Sequence, residues 1–480
     1  MVISTEFTDD YYTLEKSKDF HTTERIKKYY NILSSNKLVF INDLPIENFN
    51  TDEYAEENFQ LILNNFKDGY IINDIITKNE VVNIPDYYKG LPIVECDLSG
   101  KYYPSQKKII LGKNIETYNG PRMGLREIEV NKDNPNLSST GEYLTSKDGS
   151  KLLYTGINVT NKVEIPEGIK EITKQAFSSS SLIDEMILPS SVEIIDFSFL
   201  QCVKRFTVSS NNNYFTSING SLLSKDEKIL YKFGYQENNS QVLIDYPLET
   251  IESFAFQTNF NRFENNNKYI IDNLKFPKTL KQIKNKAFYY CLYIKNIEFT
   301  SEIECIGKFQ FYYCDHLEKL ILPNIANETI LPTINCCNNL KEVFIPKNYY
   351  IDRAGKVNLT YFDGCDNLIS INVNTENQAL LSIDGNLYSK DKTIMYCYAN
   401  GKPNKEFIIP SEVEQLDYNV FYYTKNLMKL YVPKTVMKLD CSSLFSSKIK
   451  EIYFEDESKK NTWKGSFASI KKKAIWNHKL

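Results

Sequence analysis

Three of the Ser-Lys-Asp triplets in this sequence lie within similar longer phrases, and they begin at Ser146, Ser224 and Ser389. As chemistry, a hydroxyl, an amine and a carboxylate at one place would be candidate catalytic residues. In each copy, however, two short apolar runs flank a polar turn, which is typical of a β-hairpin. We therefore expect the triplet to be scaffolding. The hairpins are predicted near residues 140–156, 219–234 and 384–401.

The second candidate for chemistry is a thiol close to an imidazole, Cys314 and His316 in "YYCDHLEKL". A Cys-His dyad needs an exposed thiol, but Cys314 occupies an inward position of the repeat described below. The same burial is expected for Cys202, Cys291 and Cys365. Cysteines at such regular spacing form a ladder instead of converging as four zinc ligands. Cys336 and Cys337 are adjacent, so an extended segment exposes one of them, and its reactivity stays open.

Composition and motifs exclude several other classes of protein. The chain has 480 residues and a net charge of −4, which gives no general attraction to nucleic acid or anionic lipid. It contains no glycine-rich phosphate motif and no apolar run near the ~20 residues that cross a bilayer. The aromatic residues fall at repeat core positions, not within basic runs. We predict a non-catalytic protein with no cofactor, no metal, no nucleic-acid partner and no membrane span.

An internal repeat occupies most of the sequence. Apolar-proline dipeptides recur, and a Phe follows several of them about ten residues later, often within Ala-Phe or Phe-x-x-Cys. An L-x-x-I-x-apolar strand comes next. Units of about 20–29 residues with a short alternating strand are typical of leucine-rich repeats, and they must stack to bury their apolar faces. Three pairs of neighbouring prolines are each separated by 23 residues: Pro166 and Pro189, Pro323 and Pro346, Pro410 and Pro433.

These motifs resemble the BspA-like leucine-rich repeats, as in "LPSSVEIIDFSFLQC" (188–202) and in the opening unit at 68–95. The resemblance covers about residues 68–455. It implies an α/β-type repeat solenoid with a curved parallel β-sheet, here with inserted β-hairpins and a helix-containing N-terminal cap. BspA-like proteins are typically surface or secreted adhesion and interaction proteins of bacteria and mucosal protozoa. The repeat's usual Ala is replaced at Ser198, Gln310 and Val420, which leaves the number of units open.

The chain is expected to divide into three parts. Residues 1–66 lack the repeat, and apolar residues at helical spacing over 50–66 predict a helix in a cap. A separate small binding module is the alternative for this segment. The repeat solenoid is expected over 67–455, and residues 456–480 are expected to form a C-terminal cap or tail.

One surface of such a solenoid is predictable from the strand pattern. The residue two positions before each proline points away from the core, because successive side chains alternate across a strand. This position is mostly polar in the N-terminal half and mostly apolar from Ile321 onward. Six such positions follow from Ile321 onward, and five of them are apolar or aromatic, the exception being Asn372. If the units stack without interruption, these six side chains form one continuous stripe. The alternative is that these residues are simply good strand formers. The candidate binding residues are Ile321, Phe344, Ile408, Tyr431 and Tyr453, rimmed by Lys319, Glu342, Lys429 and Glu451.

Two functions follow from these observations. The resemblance implies a cell-surface or secreted protein that binds a host or matrix protein through its sheet. The alternative is a cytoplasmic scaffold or regulator that binds an intracellular protein, which the lack of a visible signal peptide and of disulfide spacing favours. A third hypothesis, an enzyme within residues 1–66, is weak because that segment is short and poor in catalytic constellations.

Overall fold

The computed structural model describes most of the chain after residue 50. The described residues form stacked repeat coils with parallel strands, inserted hairpins and one small helix near the N-terminus, which confirms the predicted repeat solenoid. Residues 1–50, 458–472 and 477–480 lie outside the described part. The assignment of 1–66 and 456–480 as caps therefore stays a prediction. The described ranges are 51–121, 125–140, 143–156, 161–177, 183–235, 240–258, 269–300, 302–308, 310–352, 361–437, 444, 447–457 and 473–476.

The N-terminal elements differ in part from the helix predicted over 50–66. The helix α1 ends at Asn58, whose side-chain amide donates to the Tyr54 carbonyl over 2.7 Å. The strand β1 follows directly and pairs antiparallel with β2, so the apolar residues after Asn58 follow a strand and not a helix. The elements of this region are α1 Thr51–Asn58, β1 Phe59–Leu63, β2 Tyr70–Ile75, β3 Val81–Asn83, β4 Tyr87–Tyr88, β5 Leu91–Asp97, β6 Lys108–Leu111, β7 Thr117–Asn119 and β8 Glu127–Val130.

Each predicted insertion forms a three-stranded antiparallel unit, which we call inserts 1, 2 and 3. In insert 2 the first turn is Asn219-Gly220, with φ of 51° and 81°, and in insert 3 it is Asp384-Gly385, with φ of 46° and 69°. Two consecutive positive φ angles favour Asn-Gly and Asp-Gly in tight hairpins. The strands are β9 Leu137–Ser139, β10 Tyr143–Ser146 and β11 Lys151–Thr155 in insert 1, β17 Phe215–Ile218, β18 Ser221–Ser224 and β19 Ile229–Lys232 in insert 2, and β35 Leu380–Ile383, β36 Asn386–Ser389 and β37 Ile394–Cys397 in insert 3.

The remaining strands belong to the repeat units, together with a 3₁₀ turn at Phe197–Cys202. After insert 1 come β12 Asn161–Glu164, β13 Glu171–Ile172, β14 Ile183–Leu188, β15 Ile194–Ile195 and β16 Val203–Val208. After insert 2 come β20 Gln241–Leu243, β21 Thr250–Ile251, β22 Ile271–Lys275, β23 Gln282–Ile283, β24 Ile294–Glu298, β25 Glu302–Ile303, β26 Cys305–Ile306, β27 Phe311–Tyr312, β28 Lys319–Ile321, β29 Asn324–Ile325, β30 Thr329–Ile330, β31 Ile334–Asn335, β32 Glu342–Ile345, β33 Tyr349–Tyr350 and β34 Ser370–Val373. After insert 3 come β38 Glu406–Ile408, β39 Gln415–Leu416, β40 Lys429–Val432, β41 Glu451–Phe454 and β42 Ala474–Trp476.

Within the described residues, the main repeat strands form four parallel sheets, named here repeat sheets 1 to 4. Their strand orders are β3-β6-β8, β12-β14-β16, β20-β22-β24-β28-β32-β34 and β38-β40-β41-β42. An insert separates each sheet from the next. In insert 2 the Gly220 carbonyl accepts the backbone N–H of Phe206 on β16, and in insert 3 Gly385 does the same for Ile371 on β34. These hydrogen bonds use donors of the last strand, so repeat sheets 2 and 3 end there.

Proline ends the repeat strands as predicted from the sequence. The N–H of Leu322 donates to the Phe344 carbonyl of the next unit, and Pro323 then provides no further N–H donor. A turn follows such prolines, as in the hydrogen bond from the Val436 N–H to the Pro433 carbonyl. The alternation of buried and exposed residues along these strands therefore fixes which side chains reach the outer face.

The interior is divided into cores along the solenoid. Among the described residues there are four hydrophobic cores, spanning 55–154, 152–231, 223–399 and 388–454, named cores 1 to 4 in chain order. In core 3 a phenylalanine ladder runs through four units, with successive ring centroids 4.9, 4.6 and 5.1 Å apart. The ladder consists of Phe233, Phe256, Phe288 and Phe311. Phe177, which follows Pro166 by 11 residues as the repeat pattern predicts, lies in core 2, and Phe445 lies outside the described residues.

Candidate binding face

The outer face of repeat sheet 3 carries two of the predicted binding residues. Ile321 on β28 pairs in register with Phe344 on β32, so the side chains are neighbours. Ile321 is 44% exposed and Phe344 is half-buried. Lys319 and Glu342 form the adjoining pair on the same face, with a 3.3 Å ion pair. This arrangement gives a small apolar pair beside a salt bridge.

The outer face of repeat sheet 4 carries the other three residues. Ile408, Tyr431 and Tyr453 follow one another across β38, β40 and β41. The two tyrosine rings stack with their centroids 4.7 Å apart and an interplanar angle of 14°. Ile408 is 61% exposed, and both tyrosines are half-buried. The result is a flat surface of one aliphatic and two aromatic side chains.

Charged residues fix the two phenol groups. Lys429 bonds Glu406 over 2.9 Å, and this hydrogen bond holds the pKa of the Glu406 carboxyl below its usual value. Tyr431 donates to the same carboxylate over 3.2 Å. Tyr453 donates to Glu451 over 2.6 Å, which raises the pKa of the phenol. The rings are therefore held on the sheet by hydrogen bonds at their edge.

The predicted stripe is not continuous. Repeat sheet 3 ends at β34, which carries Asn372 beside Phe344, and repeat sheet 4 begins at β38 with Ile408. The strands of insert 3 lie between them in the chain and bond the edge of β34. One stripe was expected only if the units stack without interruption, and insert 3 interrupts them here. The spacing of the prolines does not show that an insertion ends a sheet. The five residues form two separate patches.

Sequence reasoning also missed a residue of the second patch. Ile475 on β42 lies in register beside Tyr453 and is 41% exposed. The repeat solenoid was expected to end at residue 455, so the outward positions were not followed as far as this strand. In the structure Trp476 stacks on Phe454 with the ring centroids 4.4 Å apart, which leaves Ile475 on the opposite, outer face. The short apolar run Ala474-Ile475-Trp476 was the available sequence signal.

The family model "BspA type Leucine rich repeat region" matches the chain in six copies, over residues 151–240, 258–394 and 391–477. These ranges cover well over half of the sequence. The chain belongs to the BspA-type leucine-rich repeat family. Proteins built from leucine-rich repeats generally bind other proteins and are generally non-catalytic.

Several solved structures are similar to this BspA-type chain. The pneumococcal vaccine antigen PcpA is 17% identical, over 79% of this chain and 94% of that chain, with a TM-score of 0.43. A leucine-rich repeat protein from Bacteroides ovatus is 15% identical, over 83% and 98%, with a TM-score of 0.33. A leucine rich cell surface protein from Faecalibacterium prausnitzii is 15% identical, over 69% and 95%, with a TM-score of 0.39. All three TM-scores lie below 0.5, so the family assignment rests on the match to the family model and not on these structures. No curated protein matches the sequence.

In this BspA-type chain, the Ser-Lys-Asp triplets of the three inserts form hydrogen bonds that stabilise the inserts. In insert 2 the Ser224 hydroxyl donates to Asp226 over 2.6 Å and accepts the N–H of Ile229 over 2.9 Å. The Lys225 ammonium donates to the Ser210 carbonyl over 3.0 Å. Insert 1 repeats these bonds at Ser146 to Lys151, and insert 3 at Ser389 to Ile394. The serine and the aspartate stabilise the turn itself, whereas the lysine ties the turn to the segment that precedes the first strand of the insert.

The cysteines behave largely as predicted. Cys314 is buried, and its thiol donates to the Phe288 carbonyl over 3.1 Å, away from solvent. Burial raises its pKa, which is opposite to the shift of an activated nucleophile. Of the adjacent pair, Cys337 is buried and Cys336 is half-buried. The burial expected for the other repeat cysteines is confirmed at Cys202, Cys291 and Cys365.

Among the residues that the structure describes, no three His, Cys, Asp or Glu side chains converge on a possible metal site. In that same part of the chain, no helix has the length and apolar character required to cross a bilayer.

Proposed function

We propose that the chain is an adhesion-type protein that binds a host or matrix protein through the outer face of repeat sheet 4. The stacked Tyr431–Tyr453 pair beside Ile408 carries this proposal. Tyrosine offers large contact area at a small entropic cost and is enriched among residues that dominate protein interfaces. Stacking and hydrogen bonds hold both rings before a partner arrives, which reduces the ordering cost of binding further.

The patch has the organisation of an interface. Its centre is apolar and aromatic, whereas Glu406, Lys429 and Glu451 form a charged row alongside. An apolar centre with a polar rim is typical of protein-binding surfaces. The Ile321–Phe344 pair on repeat sheet 3 provides a second contact point for the same partner.

The experiment measures binding of the full chain to surfaces coated with extracellular-matrix extract, with albumin-coated surfaces as the reference. Replacing both Tyr431 and Tyr453 with Asp should weaken binding by at least about tenfold, because each hot-spot loss costs about 1–2 kcal/mol. Ile187→Asp is the matched control, since Ile187 holds the equivalent position between polar Glu164 and Thr207 on repeat sheet 2.

Two results would contradict this function. Equal binding by the double variant and the parent chain, at equal stability, would remove repeat sheet 4 as the interface. Equal retention on matrix extract and albumin would remove a matrix protein as the partner.

We further propose that the protein acts at the cell surface or after secretion, which is the usual place of its family. Antibody staining of intact and permeabilised cells that naturally express the chain tests this. Staining of intact cells is expected. Staining only after permeabilisation would favour the cytoplasmic scaffold instead.

A further inference from the structure

Two buried cysteines occupy equivalent positions in neighbouring repeat units. The strands β27 and β31 pair in parallel, with Phe311 opposite Ile334. Cys314 and Cys337 each lie three residues beyond these partners, so the same register places them side by side. Both side chains are at most 2% exposed.

The two thiols also share an orientation. The Cys314 thiol donates to the Phe288 carbonyl over 3.1 Å, and the Cys337 thiol donates to the Phe311 carbonyl over 3.3 Å. Each thiol therefore points to the same carbonyl position of the preceding unit. The Cys314 and Cys337 thiols additionally lie within hydrogen-bonding reach of each other, and so do the Cys337 and Cys365 thiols, whereas Cys291 acts on Cys314 through its backbone and its charge. Of these pairs, Cys314 and Cys337 are the one that directly follows two paired strands, β27 and β31.

The spacing of repeat units matches the geometry of a disulfide. Neighbouring strands lie ~4.8 Å apart, and disulfides join Cα atoms separated by about 4.4–6.8 Å. Register, orientation and spacing thus agree at this pair. We propose that Cys314 and Cys337 form a disulfide that links two neighbouring repeat units when the protein meets a small disulfide oxidant.

The reaction is thiol–disulfide exchange with an oxidant such as oxidised glutathione. One protein thiolate attacks a sulfur of the oxidant and releases one glutathione thiolate, leaving a mixed disulfide. The second protein thiolate then attacks the protein sulfur of that mixed disulfide and releases the second glutathione. The two protein thiols lose two electrons and two protons, and one oxidised glutathione becomes two reduced molecules.

Burial determines when this reaction is fast. It raises the pKa of both thiols, so little thiolate forms while the core is closed, and thiolate is the attacking species. Oxidation therefore requires local opening of the unit or accompanies folding. A surface or secreted protein folds and persists among such oxidants.

The link would act on the candidate binding face. Cys314 precedes β28, which presents Ile321, and Cys337 precedes β32, which presents Phe344. The disulfide would join the two units that carry this apolar pair and restrict their separation. Redox state thereby becomes a control on the second contact point, although the chemistry itself is independent of the proposed partner.

The experiment maps disulfides in the full chain with a Cys336→Ser replacement, which removes the adjacent half-buried thiol from the same peptide. The protein is incubated with oxidised glutathione, with and without urea below the unfolding transition, then alkylated, digested without reductant and analysed by mass spectrometry. A peptide pair joining Cys314 to Cys337 is expected, formed faster in urea. Oxidation should also raise the melting temperature, and reductant should reverse this.

Two ladder variants provide the matched comparison. Cys314→Ser should lose both the linked peptide and the thermal shift, whereas Cys291→Ser, one unit earlier, should keep them. Mapping in the Cys336→Ser chain stands by itself if a ladder variant fails to fold. Free thiols, glutathione adducts alone, or a link from Cys337 to Cys365 would overturn the proposal.

Discussion

At the scale of single residues, a buried asparagine secures each insert, and sequence reasoning did not find it. In insert 2 the Asn212 side-chain amide donates to the carbonyls of Pro189 and Val192, and its oxygen accepts the N–H groups of Tyr214 and Phe215. Asn134 and Asn377 make the same four bonds at the other two inserts. The signal was an Asn three residues before the first apolar residue of each insert. In a chain so rich in Asn, that spacing stands out only when the three copies are aligned.

Lys232 provides a prediction at the same scale. Its side chain is fully buried, its ammonium donates to the Gln257 carbonyl, and it lies 5.6 Å from the centre of the Tyr235 ring. Burial lowers the pKa of Lys232 to about 7, below the ~10.4 of an unfolded chain. Between these values the unfolded chain binds more protons, so the free energy of unfolding rises with pH. Below pH 7 the full penalty for burying the charge is present.

We therefore expect Lys232→Met to be more stable than the parent at pH 6, with a difference that shrinks as the pH rises toward 10. Urea midpoints at pH 6, 8 and 9.5 measure this. The same replacement at exposed Lys278 is the control. A difference between Lys232→Met and the parent that stays constant across this pH range would show that the buried ammonium does not control stability.

At the scale of elements, the inserts are strands with two buried faces. All four residues of β18 are buried, and its adjacent leucines belong to different cores: Leu222 to core 2 and Leu223 to core 3. The strand β36 has the same organisation, with Leu387 in core 3 and Tyr388 in core 4. The inserts therefore separate the cores while contacting both sides.

This organisation predicts that two neighbouring substitutions destabilise different cores, one on each side of insert 2. Leu222→Ala and Leu223→Ala each remove a fully buried leucine side chain, at a cost of about 2–5 kcal/mol. Leu222→Ala should accelerate amide hydrogen exchange in β14 and β16, and Leu223→Ala should do so in β22 and β24. Each variant is the control for the other. The same exchange pattern in both variants would mean that β18 does not divide the interior.

The sequence was sufficient for some elements and not for others. Repeat strands and hairpins were predictable because alternation, proline and turn residues are local signals. In the sequence, Leu222-Leu223 was only a short apolar run. That both faces of its strand are buried was not predictable, because this depends on the two cores that pack on either side of the strand. The helix predicted over 50–66 ends at Asn58 because the residues that follow pair with β2, as Leu61 does with Ile72. Such pairing with a separate segment leaves no local signal in the sequence of 50–66. The register of Ile408, Tyr431 and Tyr453 was predictable, but the break before Ile408 was not.

At the scale of the whole molecule, the four cores of the described residues follow one another along the chain, and each shares an insert with the next. Repeat proteins approximate a one-dimensional series of units coupled at shared interfaces. Here the inserts are those interfaces, because residues of each insert enter the cores on both sides. Damage to one core should therefore spread weakly to the next.

The positions of the tryptophans make this testable. The chain has two, Trp463 and Trp476, and Trp476 stacks on Phe454 and packs against core 4. In a Trp463→Phe background, fluorescence reports core 4, whereas far-ultraviolet circular dichroism reports all strands. The two urea transitions should not coincide, as expected when unfolding is not two-state.

Phe288→Ala in that background sharpens the test. Phe288 stacks on Phe256 and Phe311 within core 3, and its loss should destabilise that core by about 3–5 kcal/mol. The circular dichroism transition should move to lower urea, while the Trp476 transition stays within a fraction of that shift. Equal shifts in both signals would mean that cores 3 and 4 unfold as one unit, and that insert 3 transmits stability instead of separating the two.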